Sequence, residues 1–200
     1  MKHQFRSLGL SSPALTELAG PHLKAGCQLP GVDWEFVEAA WQKTYREAQY
    51  CACSYLNRVS ARLTAADLPV LKRLVQTKSW WDSVDTLSGV IGSLVLRCPE
   101  LKQDMLAWSQ DEDLWTRRAA IIHQLDYKKE TDTALLERII LNNLGTREFF
   151  INKAIGWSLR QYSRGDPAWV AAFVRAHEPE LANLSKKEAR KYLPPENQDG

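Results

Sequence analysis

The feature that most limits what this chain can fold into is a recurrence at 35 residues. Arg117-Arg118-Ala119-Ala120-Ile121 and Asn152-Lys153-Ala154-Ile155-Gly156 align at that shift, and the same shift brings Tyr127 onto Tyr162. A step back from Arg117 reaches Asp82, and another reaches Glu47, close to Tyr50. A fixed period of this length belongs to helical hairpins, which bury their apolar faces only by stacking on neighbours. The expected fold is therefore all-α, a curved α-solenoid of helical pairs with one helix of each pair lining a concave face. Strand signals, such as alternating apolar runs between turn pairs, are nearly missing.

Local signals place the helices. Ser11-Ser12-Pro13 opens the first, with a cap and a proline in its first turn. Gly31-Val32-Asp33 caps a second, expected from about Trp34 to the Arg58 region with a break near Gln49. Thr64-Ala65-Ala66-Asp67 reads as a capping box for a helix through Leu74. Further helices are expected over 81–96, 99–108, 112–125, 131–144, 147–162, 167–176 and 186–192. The polar residues 194–200 read as a frayed tail, which leaves 1–193 as one domain, the number that 200 residues comfortably support.

Composition removes several classes of function. The formal net charge is +2, so a nucleic-acid partner has to be argued from a local basic surface. No run approaches the roughly twenty apolar residues of a membrane span. Met1 to Leu10 has no apolar core of a secretory signal, so a cytoplasmic protein with no membrane partner is expected. Cys27, Cys51, Cys53 and Cys98 show no metal-ligand spacing, and His3, His22, His123 and His177 are scattered. Reduced thiols and no metal site are expected.

Chemistry is concentrated in Lys78-Ser79-Trp80-Trp81-Asp82-Ser83-Val84-Asp85. Four residues apart on a helix, Trp81 and Asp85 share a face, while Trp80, Val84 and Leu87 fall on the neighbouring apolar stripe. An indole beside a carboxylate can hold a positive charge. On these residues alone, the commoner arrangement is Trp81 in the core and Asp85 solvated. Further on, Arg138, Arg147, Lys153, Arg160 and Arg164 stand against one acid, Glu148, over 138–164. Lys153, Trp157 and Arg160 share a face, and cations interleaved with an indole suit a phosphate backbone; a solvated helix with Trp157 in the core fits as well. Arg118 of the Arg117-Arg118 pair suits a phosphate, or else a salt bridge to Asp111, Glu112 or Asp113.

With these blocks in view, the sequence resembles the AlkD family of DNA alkylation repair enzymes, alkylpurine DNA glycosylases built from HEAT-like helical repeats. The resemblance spans about Leu8 to Tyr192. It rests on four blocks in the family's order: Thr77 to Asp85, Trp115-Thr116-Arg117-Arg118-Ala119-Ala120-Ile121, Phe149 to Trp157, and Leu184-Ser185-Lys186-Lys187-Glu188-Ala189. It implies a catalytic cleft of Trp81, Asp85, Arg118 and Trp157, with Trp80, Lys78, Lys153, Arg160, Lys128 and Ser12 at the DNA surface. The implied activity is hydrolysis of the N-glycosidic bond of positively charged N3- or N7-alkylated purines, such as 3-methyladenine and 7-methylguanine, in base excision repair. The implied partner is duplex DNA carrying alkylated bases, met by a monomer without cofactor or metal and without a flipped-base pocket. The family usually carries a further helical segment before the position of Met1 and is more basic around Ser12 to Leu15 and at Asp126. Those departures bear on DNA affinity and on bulky lesions. Two readings compete with catalysis: a helical-repeat module that binds DNA structure or a protein partner, and an interaction solenoid with no nucleic-acid role.

Overall fold

In a computed structural model of the chain, residues 4–193 are described; the tail expected at 194–200 lies outside them. Eleven α-helices appear among the described residues, and the sole β contact there is an isolated bridge between Arg6 and Tyr45. After α1 (Ser12–Gly26) the chain runs as five pairs: α2 (Trp34–Gln42) and α3 (Arg46–Val59), α4 (Leu68–Gln76) and α5 (Trp81–Arg97), α6 (Lys102–Trp108) and α7 (Leu114–Ile122), α8 (Thr133–Leu141) and α9 (Phe149–Tyr162), α10 (Pro167–Ala176) and α11 (Asn183–Ala189). Second helices begin at Arg46, Trp81, Leu114, Phe149 and Asn183, every 33 to 35 residues. The helical-pair period is thus real, and the fold is of the all-α, α-solenoid class expected.

Packing divides the chain into two compact units, Met1–Cys98 and Pro99–Gly200. In the first, α5 is the buried spine: Val84, Leu87, Val90, Ile91, Leu94 and Val95 are fully enclosed against α3 and α4. In the second, α9 packs between α7 and α11, with Ile151, Ala154, Ile155 and Leu159 fully enclosed. Hydrogen bonds between successive second helices follow the period: Ser158 Oγ donates to the Ile121 carbonyl at 2.8 Å, and Ser185 Oγ to that of Asn152 at 2.7 Å.

Caps account for where the helices begin. Asp33, Asp113, Asp132 and Asp166 each accept the backbone N–H three residues on, satisfying a donor that the first turn leaves open. Hence α7 and α8 start two residues later than expected from Glu112 and Thr131. The capping box at Thr64 and Asp67 is present, heading a 3-10 turn (Ala65–Asp67) that runs into α4. The break expected near Gln49 falls instead at residues 43–45. Gln49 is itself the reason: fully buried in α3, its Nε2 donates to the carbonyls of Ala40, Trp41 and Lys43 and closes the end of α2. Among the described residues, no helix is long and apolar enough to cross a membrane, and no group of three or more His, Cys, Asp or Glu could hold a metal ion. All four thiols are free.

Candidate active site

The expected quartet divides two and two between the units. Trp81 and Asp85 lie in the first unit, on consecutive turns at the start of α5. Arg118 on α7 and Trp157 on α9 lie in the second.

Of eight tryptophans, Trp81 alone is exposed, at 46 %. A core role for it is therefore excluded, although a bare indole on water is the costly choice for so large an apolar group. Asp85, one turn on, is half-buried. Trp80 precedes the helix in extended conformation (φ −159°, ψ 158°), with its carbonyl accepting from Val84 N–H at 3.0 Å. It is half-buried, and no side chain caps this helix start. Trp81 borders a cleft of about 420 Å³, shared with Ser12, Thr16, Tyr50, Cys51 and Asp82, so the fold brings Ser12 and Trp81 to one opening.

Asp82, the other carboxylate of the block, is committed within the protein. It accepts from Arg46 Nη2, from the Tyr50 hydroxyl and from the Ser83 N–H. Arg46 escaped the sequence reading, although the recurrence had passed beside it at Glu47. Lys78 also turns inward: its Nζ donates to the Lys43 carbonyl at 2.7 Å. Partial burial, and then the Arg46 charge, hold its ammonium pKa below the ordinary lysine value. Its backbone sits in the left-handed region at φ +50°.

In the second unit Arg118 is 3 % exposed and donates to the Phe150 carbonyl at 2.7 Å. Its guanidinium lies 5.9 Å from the Phe150 ring centroid, and Phe150 packs on Trp115 at 4.8 Å. The expectation of a phosphate grip thus meets a buried arginine that ties α7 to the first turn of α9. Its neighbour Arg117 is half-buried. Trp157 is half-buried, and Phe149, 59 % exposed, continues the aromatic cluster outward.

Lys153 and Arg160, expected as free cations, share one carboxylate. Glu188 of α11 accepts from Lys153 Nζ at 2.7 Å, from Arg160 Nη1 and from Lys191 Nζ at 3.2 Å. The Lys153 hydrogen bond, against the opposing cost of burial, together with the other two cations, holds the Glu188 carboxyl at about 2. Three positive charges on one negative leave a local surplus of two. Glu188 stands one 35-residue period beyond Lys153 and 28 residues beyond Arg160, but a period marks equivalent positions and does not by itself signal an ion pair. Lys128 is exposed, left-handed at φ +53°, and borders a separate cavity of about 490 Å³ with Lys129 and Arg164.

Comparison with known proteins identifies the family and the fold. The sequence model of the family described as "DNA alkylation repair enzyme" matches residues 1–193. A solved structure described as "Predicted DNA alkylation repair enzyme from Enterococcus faecalis" is 37 % identical, covering 97 % of this chain and 91 % of its own, with a TM-score of 0.90. The structure of smu.31 from Streptococcus mutans UA159 shares the fold at 18 % identity, covering 90 % of this chain and all of its own, with a TM-score of 0.66. No curated protein matches in sequence. The chain belongs to the DNA alkylation repair enzyme family.

Proposed function

We propose that the protein is a monofunctional glycosylase acting on duplex DNA, releasing purines that alkylation at N3 or N7 has made cationic. The observation that carries this reading is Trp81: an exposed indole one helical turn from Asp85, at the start of α5. A cationic purine leaves as a neutral base, so its departure needs no general acid, and positive charge passes to the deoxyribose. Asp85 is the group that stabilises that charge and orients the attacking water, by the logic of carboxylates in sugar hydrolysis. Trp81 contributes cation–π contact that strengthens as the charge grows. Arg118 acts by holding the start of α9 in place. Trp80, Ser12, Lys128 and the surplus charge around Lys153 and Arg160 meet the DNA backbone, and no cofactor or metal takes part.

The test is release of 7-methylguanine and 3-methyladenine from methylated duplex. Asp85→Asn should lower the rate about 10²–10³-fold with duplex affinity little changed. Equal rates for the two proteins would remove Asp85 from the chemistry. The inward commitment of Arg118 and Lys78 favours a second reading, a module that binds DNA without cleaving it. Salt-dependent binding with no base released by the wild-type protein would select that reading.

A further inference from the structure

We infer that Arg46 is a positioning residue for the proposed reaction, one that sets the first turn of α5 and so the aim of Trp81 and Asp85. The inference rests on the glycosylase reading for its kinetic consequence, though not for its geometry. Arg46 is 0 % exposed. An arginine so deep is unfavourable unless several acceptors converge on it, and here they do. Its Nη1 donates to the Lys78 carbonyl at 2.7 Å, while Nη2 serves the Asp82 carboxylate and Ser83 Oγ. The guanidinium carbon lies 4.3 Å from the Phe5 ring centroid and 5.5 Å from that of Tyr50.

These acceptors bracket the tandem indoles: Lys78 precedes Trp80 and Trp81, whereas Asp82 and Ser83 follow them. One planar group thus ties together the chain on both sides of Trp80-Trp81, in a helix start that has no side-chain cap of its own. The tie also holds the left-handed turn at Lys78 against the first turn of the helix. Tyr50 locks the far oxygen of Asp82. Burial, and then that carboxylate, push the Tyr50 phenol up to about 12, so it remains a donor across the physiological range. The Arg46 Nε has no partner among the described residues, which leaves the tie to the two terminal nitrogens. A lysine ammonium is a single point and cannot span both sets of acceptors, so the arginine is needed for its fork and not only for its charge. Asp85 stands one turn beyond, where a displacement of about 1 Å in a reacting group costs roughly 100-fold in rate.

The experiment compares wild type, Arg46→Lys and Arg46→Met. It combines single-turnover release of 7-methylguanine from methylated duplex, duplex affinity, and amide hydrogen exchange over residues 82–86. The expected result is a release rate about 30- to 100-fold lower in both variants, affinity within about threefold (some 0.7 kcal/mol), and exchange over 82–86 accelerated relative to α9. Arg46→Lys that melts lower yet keeps a wild-type release rate would overturn the inference, because arginine would then serve stability alone. Should the wild type itself release no base, the glycosylase reading falls and exchange alone decides: unchanged protection over 82–86 in Arg46→Met overturns the positioning role, and accelerated exchange upholds it.

Discussion

The start of α5 and the side of α9 that faces α11 handle charge in opposite ways. At α5 a single buried cation, Arg46, is matched by Asp82 and surrounded by acceptors. Along α9 a single buried anion, Glu188, is surrounded by Lys153, Arg160 and Lys191, and the neighbourhood stays positive. The first arrangement fixes backbone and leaves an indole in solvent. The second packs cations more closely than their repulsion would otherwise permit, by placing one carboxylate in their midst.

Acid should separate the two regions most strongly. Burial holds His123, at the end of α7, down to about 4, only partly offset by its hydrogen bond with the Ala120 carbonyl. The folded chain therefore binds this proton less readily than the unfolded one does, with its ordinary value of 6.5. The His123 contribution is complete above pH 6.5 and is lost as pH falls from there toward 4, by on the order of 3 kcal/mol. The Glu188 contribution is complete above 4.5 and is lost toward 2. Hydrogen exchange against pH should show the second unit loosening in the upper window, and His123→Gln should flatten that limb. A wild-type profile flat between pH 6.5 and 4 would contradict the assignment.

Next in size is the crevice that brings Glu188 to α9. A Cβ on Gly156 would lie 2.6 Å from Glu188 Cβ and 3.0 Å from the Ser185 backbone. Gly156→Ala should cost about 2–3 kcal/mol, read as a lower melting temperature. Melting unchanged would mean that α11 sits further out. Glu188→Gln should cost about 1–2 kcal/mol, the cations being partly solvated, while strengthening duplex binding at low salt. Weaker binding would show that the three cations face the protein alone. Smallest of all in stability is Trp81→Ala, expected within about 0.5 kcal/mol of wild type because the indole is exposed. A larger loss would make Trp81 a packing residue and erase the contrast drawn above.

The period and the caps were open to sequence reading because both are local or regular: aspartates three residues ahead of an amide, and helix starts some 34 apart. The expected starts of α7 and α8 fall two residues early, for want of the equally local caps Asp113 and Asp132; elsewhere the agent of the difference was a tertiary contact. Gln49 lies in mid-helix by pattern, yet ends a different helix by reaching across to α2. Arg46 and Glu188 were invisible as partners, since each is defined by residues about one repeat away. For Trp81 the chemistry was legible and its exposure was not, because an apolar side chain beside a helix start fits the core equally well. Lys78, Lys153 and Arg160 were legible as cations; the acceptors of Lys78 and Lys153 stand one 35-residue period away, but the period alone does not say that the side chains meet.

The missing side chain at Gly156 makes the last helix more than an end piece. Because α11 nests in that notch and delivers the counter-ion between Lys153 and Arg160, shortening the chain ahead of Asn183 would bare an unfilled furrow on α9 and set two like charges against each other. Trimming the C-terminal end would therefore be felt on the proposed binding surface itself.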